Sequence, residues 1–193
     1  MKKTFLYRIL AALIIFLSFT GQADAQKIIY VDSSAHGAND GTSWSNAYKS
    51  LMPALTIANK GRVSFVIKVA KGTYYPAKAN GNPTTSRDSS FRILRDSIQL
   101  QGGYPSGGGV QNIKLNPTIL SGDIGIKKDT SDNNYHILTI VASDYHYIID
   151  SLVAINGFLF TGGNANGSGS LIVNGQNLSR QSGAAMVIRH FLS

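Results

Sequence analysis

The sequence predicts an all-β solenoid, wound at about 20 residues per coil and closed at its N-terminal end by one short helix. Three observations predict it: residue columns that recur every 20 positions, strand-like alternation after residue 63, and a single helical stripe over 51–60. Taken in steps of 20, positions 98, 118, 138 and 158 are Ile, Thr, Leu and Phe. Positions 100, 120, 140 and 160 are Leu, Leu, Ile and Phe, and positions 102, 122, 142 and 162 are Gly, Gly, Ala and Gly. A fixed period with apolar residues two apart is the mark of stacked coils whose strands point those side chains inward. The small third column lets the backbone bend onto the next face. Four Asn-Gly pairs, at 80–81, 156–157, 166–167 and 174–175, supply positive φ for the bends. Asn-Gly is also a strong hairpin signal, so an antiparallel sandwich is the rival fold. A sandwich gives no reason for columns at 20.

Residues 1–25 read as a signal peptide. Lys2, Lys3 and Arg8 form a basic start, Ile9 to Phe19 an apolar run, and Ala23-Asp24-Ala25 a small-residue cleavage site before Gln26. The apolar run is shorter than the roughly 20 residues that a membrane span needs, so no span is expected after cleavage. An exported protein follows. It has no cysteine, which excludes a disulfide scaffold, a thiolate metal site and a lipid-modified cysteine. The formal charge is +8 and all ten acidic residues are aspartate. On an exported chain such an excess suits anionic polysaccharide or a charged cell surface rather than nucleic acid.

Residues 26–62 form an entry unit. Ile28 to Val31 is a short strand, and a turn-rich stretch runs from Asp32 to Asn46. A helix is expected over Leu51 to Lys60, with Ser50 as N-cap, Pro53 in the first turn and Gly61 as a left-handed stop. Leu51, Ala54, Leu55 and Ala58 make its apolar stripe, suited to plugging the end of an all-β body. Residues 63–193 are the coils. Val63, Phe65, Ile67 and Val69 alternate with Ser64, Val66 and Lys68, Gly72-Thr73 turns the chain, and Asn80 to Ser90 is an inserted polar loop.

The stretches "YVDSSAHGANDGTSWSNAYKSLMPAL" and "IKVAKGTYYP" resemble the entry segment of secreted right-handed parallel β-helix proteins of the pectin-lyase-like superfamily. "NPTILSGDIG", "DNNYHILTI" and "GFLFTGGNANG" resemble successive coils of β-helix surface proteins of Bacteroidetes type. The resemblance implies a right-handed parallel β-helix, secreted or on the outer surface of a Gram-negative bacterium. It implies nothing definite about activity, because the superfamily holds lyases, hydrolases and adhesins alike. Family members continue for more coils and often end in a sorting domain; this chain reaches Ser193 with neither, so it reads as the N-terminal part of such a protein, truncated at its C-terminal end. A coil that stops leaves open strand edges, and self-association through that end is expected.

No residue is assigned a catalytic, cofactor-binding or metal-ligating role. Asp123, Asp129 and Asp132, with Asn133 and Asn134, raise Ca²⁺, the ion that β-helix lyases use, but their spacing is that of ordinary turns. Arg92 and Arg95 are the candidates for a lyase base, and Asp144 and Asp150 the remaining carboxylates for a hydrolytic pair. His36, His136, His146 and His190 are read as surface, turn or tail residues. Trp44, Tyr48, Tyr74, Tyr75 and Tyr104 could stack on sugar rings; Trp44 and Tyr48 are expected instead to anchor the entry loop against the helix. The role that follows is structural or adhesive, with contacts to polysaccharide or partner surfaces. The alternative is a polysaccharide-active enzyme, most plausibly a Ca²⁺-dependent lyase.

Overall fold

The computed structural model describes residues 26–76, 87–141 and 153–189. Residues 1–25, Asn80-Gly81, most of the 80–90 loop, Ala142, Asp144, His146, Asp150 and His190 lie outside the described residues. The chain enters with β1 (Lys27–Val31) and α1 (Leu51–Lys60), followed by β2 (Phe65–Ala70), β3 (Gly72–Tyr74) and β4 (Phe91–Ile93). Then come β5 (Ile98–Tyr104), β6 (Thr118–Ser121), β7 (Leu138–Val141), β8 (Ala154–Asn156) and β9 (Phe158–Thr161). The last elements are β10 (Ser170–Val173), β11 (Gln176–Ser179) and β12 (Met186–Arg189).

Three parallel sheets face one interior. The first runs β1-β2-β5-β8, the second β3-β6-β9 and the third β4-β7-β12. Each lap visits the three in turn, so every strand lies on the strand one lap earlier. This is the right-handed parallel β-helix, with the hand that parallel crossovers take. The inward residues make one core, in which Ile67, Leu100, Leu120, Leu138, Phe91 and Ile93 are fully buried.

The repeat of 20 has a different origin from the one its period suggests. Ile98, Thr118 and Leu138 lie on the first, second and third sheets, so 20 residues carry the chain from one face to the next. The stacked partners are further apart: Phe65 pairs with Ile98, Gln99 with Ala154, Thr118 with Phe158 and Phe91 with Leu138. A lap therefore takes roughly 33 to 55 residues. The columns recur because all three faces need the same apolar-x-apolar inner pattern. Thr118, the one polar member, is fully buried and satisfied: its Oγ1 accepts from the Gly103 N–H and donates to the Ala70 carbonyl.

The glycine column is explained by close approach between laps. A Cβ added at Gly157, where φ is +82°, would sit 2.6 Å from the Gly102 carbonyl oxygen. One added at Gly122 would sit 2.5 Å from that of Gly162.

α1 covers the N-terminal end with Leu51, Ala54, Leu55 and Ala58. The Ser50 hydroxyl accepts from the Met52 N–H, as an N-cap should. Gly61 departs from expectation: at φ −74°, ψ 164° it is extended rather than left-handed. Glycine is still required there, because the Phe65 ring lies against its α-carbon. Asn59 ties the helix to the third sheet, donating to the Arg92 carbonyl and accepting from the Leu94 N–H.

The Asn174-Gly175 pair makes a true hairpin, unlike the bend at Asn156-Gly157. β10 and β11 are antiparallel, with φ of 51° and 78° at the two turn residues. Val173 and Leu178 pack with Val141, Leu94, Leu171 and Val187 over the outside of the third sheet. The Asn174 side chain donates to the carbonyls of Leu94 and Val141, fastening the tip.

Candidate functional site

The described carboxylates are engaged, one after another, in local structure. Asp32 is buried and accepts from Ser34 N–H, Ser34 Oγ and Gly107 N–H, joining the entry loop to the loop after β5. Burial pushes its pKa up, but the bonds from Ser34, Gly107 and Ser106 outweigh that and hold it below the usual carboxylate range. Asp40 accepts from Thr42, Asp129 from Ser131 and Asp123 from the Lys128 N–H. Asp132 Oδ2 accepts from the Ile126 N–H, and Asp88 holds Arg180 through two oxygens at 2.7 and 2.8 Å. Asp96 lies 3.7 Å from Arg95. These are the short-range bonds by which aspartate closes turns.

The 123–134 turn is where the sequence raises Ca²⁺. The ion takes six to eight oxygens. In the 123–134 turn Asp123 and Asp129 face their own loop amides, which leaves the Oδ1 atoms of Asp132, Asn133 and Asn134 as the buried oxygens without a hydrogen-bond partner. Among the described residues no group of three His, Asp, Glu or Cys is placed to hold a metal.

The lyase base candidates point elsewhere. Arg92 Nε donates to Ser90 Oγ and its Nη2 to the Asp88 carbonyl, on the third sheet. Arg95 Nη1 donates to the carbonyls of Ala58 and Val63. Asp123 follows β6 on the second sheet and closes on Lys128. The two arginines and Asp123 thus serve separate turns.

Arg95 does line a cleft of about 870 Å³ between the end of α1, the β4–β5 turn and the hairpin tip. Lys60, Arg62 and Arg95 outnumber Asp96 along it. Ser97 on its wall has φ of 57°, a left-handed conformation that turns its carbonyl to accept the Phe65 N–H.

A second surface is the outside of the first sheet. The outward residues Tyr30, Lys68, Gln101 and Asn156 stack in register across four strands. The Trp44 ring lies 4.9 Å from Tyr30 and 5.3 Å from Tyr104, and Lys68 Nζ lies 5.6 Å from the Tyr104 centroid. The Tyr104 hydroxyl donates to Gln101 Oε1 at 2.9 Å. Trp44 thus anchors the entry loop on the first sheet, where helix packing was expected; Tyr48 pairs with Val31 and packs on the core. Tyr74 is no sugar platform. It is buried, its hydroxyl donates to the Ala70 carbonyl, and burial raises its pKa to about 12. Tyr75 is half-buried.

His136 was expected at the surface, and is 2% exposed. Its Nδ1 lies 3.2 Å from the Gly183 carbonyl, which fixes that nitrogen as donor, and burial lowers its pKa. His36 is exposed in its turn. Among the described residues no helix is long and apolar enough to cross a membrane. No protein-family model matches the chain, and no curated protein or solved structure is significantly similar to it.

Proposed function

We propose that this chain is an exported scaffold of the pectin-lyase-like β-helix kind, led out by residues 1–25 and displayed on or shed from the surface of a Gram-negative bacterium. Its role is structural or adhesive. The rod presents its outer faces to anionic polysaccharide or partner surfaces and associates with itself through its open coil end; no residue acts as a catalyst. The observation that carries this reading is the employment of aspartate. Asp32, Asp40, Asp123, Asp129 and Asp132 each close a turn and Asp88 clamps Arg180, so the carboxylates serve winding. The aromatic and amide-bearing face of the first sheet and the basic cleft are the contact surfaces that remain.

Affinity electrophoresis through gels containing polyuronate tests the reading. Retardation that salt reverses, without formation of unsaturated uronate, is expected. Unsaturated product from a polyuronate, dependent on added Ca²⁺, would establish the lyase alternative instead.

A further inference from the structure

β5 carries an irregularity that its inward pattern does not need. Ile98 and Leu100 are buried in the core, and unbroken alternation would send Tyr104 in after them. The pairing with β2 instead shifts register: Lys68 pairs with Gln101, but Ala70 pairs with Tyr104. β5 thus takes up one extra residue at Gly102-Gly103, where Gly103 has a φ of +88°. A bulge of this kind re-aims the side chain beyond it, and Tyr104 comes out on the outer face beside Lys68. There it completes a cluster. Trp44, half-buried, lies between Tyr30 and Tyr104, and Gly108 backs its pyrrole ring so closely that a side chain there would collide. Lys68 Nζ stands 5.6 Å from the Tyr104 centroid, and among the described residues no aspartate pairs with it. The Tyr104 hydroxyl occupies Gln101 Oε1, while the Gln101 amide nitrogen has only Gln99 Oε1 at 3.5 Å and keeps a hydrogen to donate. β2 and β5 are inner strands of the first sheet, so the cluster depends on neither end of the stack.

We propose that this face is the binding site for an acidic sugar, one hexuronate ring of a polysaccharide. The proposal rests on the reading above that the chain contacts anionic polysaccharide, and it commits that contact to one place. The half-buried rings of Tyr30 and Trp44 offer flat apolar surface with polar edges, which suits the C–H face of a pyranose. Lys68 supplies the cation for its carboxylate, and the Gln101 amide a donor for a ring hydroxyl. The combination selects the class. An inorganic anion would use the lysine and ignore the rings, and a neutral glycan would use the rings and leave the lysine without an anion. The basic cleft lacks this combination: Lys60, Arg62 and Arg95 line it with no aromatic side chain among them.

Trp44 is the single tryptophan of the chain, so its emission reports on this face. Fluorescence titration with a short oligogalacturonate, beside the neutral galactose oligomer of equal length, tests the proposal. A saturable change is expected with the acidic oligomer. Binding should be weaker by about tenfold for the neutral oligomer, and for the acidic one on Lys68→Met, which loses one charge-assisted contact. The two sugars compared on the unaltered chain decide the matter if Lys68→Met does not fold. Equal binding of both overturns the acidic class, and emission unmoved at concentrations that retard the protein in polyuronate gels overturns the site. Retardation that folded Lys68→Met keeps, and that Lys60→Met combined with Arg62→Met loses, also overturns the site; it moves the contact to the basic cleft and leaves the scaffold reading intact. No retardation by polyuronate at all overturns both.

Discussion

Leu120 and Phe160 occupy the same column one lap apart, yet only Leu120 is sealed from water, and the difference can be measured. Leu120→Asp should cost more than about 3 kcal/mol, since it forfeits a buried large side chain and leaves a carboxylate without a partner. Phe160→Asp, at the open end, should cost about 1–2 kcal/mol, because the carboxylate keeps access to solvent. Denaturant titration of both variants checks the order; equal losses would mean that the end is covered within a single chain. His136 and the aspartates give a pH signature. The lowered folded pKa of His136 means that the unfolded chain takes up its proton first as pH falls below about 6.5, so stability declines from there down to the folded value. Asp32 and Asp88 are depressed from 3.8, Asp88 chiefly by the hydrogen bond from Arg180, so their contributions persist above that value and vanish as pH falls through their folded values. Melting temperature against pH should thus fall in two steps, and His136→Gln should remove the upper one.

The elements divide into those whose cause is local and those whose cause is distant. α1 was legible because its stripe, cap and length are all contained in Ser50 to Lys60, and only the conformation of Gly61 depended on a residue beyond, the Phe65 ring. The inner columns were legible because a pleat repeats every two residues whatever stacks on it. Lap length was not: a step between faces and a step between laps leave the same apolar-x-apolar trace. The burial of His136 depends on Gly183, 47 residues away, and the aromatic face gathers Tyr30, Trp44 and Tyr104 from three separate segments, so neither could be read locally. The Asn-Gly pairs show both kinds. Asn174→Ala should cost about 1–3 kcal/mol, by straining a left-handed residue and leaving the Leu94 and Val141 carbonyls without its amide. Gly157→Ala should cost at least as much, since it meets both a positive φ and the Gly102 carbonyl. Thermal unfolding followed by circular dichroism gives both values, and a silent Gly157→Ala would refute the close contact between laps.

At the scale of the whole molecule, stability is a sum over laps, each held by its own side chains and by its neighbours. The sum is uneven because the ends are unlike. The lap of β2, β3 and β4 is covered by α1 and β1 on one side and by the next lap on the other, and its inward residues Ile67, Tyr74 and Phe91 are all buried. Among the described residues the lap of β8, β9 and β12 has a strand neighbour on one side, and Ile188 in its inner column stands 59% exposed. The hairpin of β10 and β11 braces that lap from outside through Val187, but leaves its edges free. Opening should therefore begin at the last lap and proceed toward the helix. Amide exchange should be fastest in β8, β9 and β12, slower in β5, β6 and β7, and slowest in β2. A Ser50→Ala substitution should cost about 0.5–2 kcal/mol by loosening the cap of α1. It should speed exchange in β2 and β4 before it reaches β9, because the covered end is where that helix acts. Uniform exchange along the stack, or an effect of Ser50→Ala felt equally in β9, would mean that the laps unfold as one unit and that the helix does not protect the end it covers.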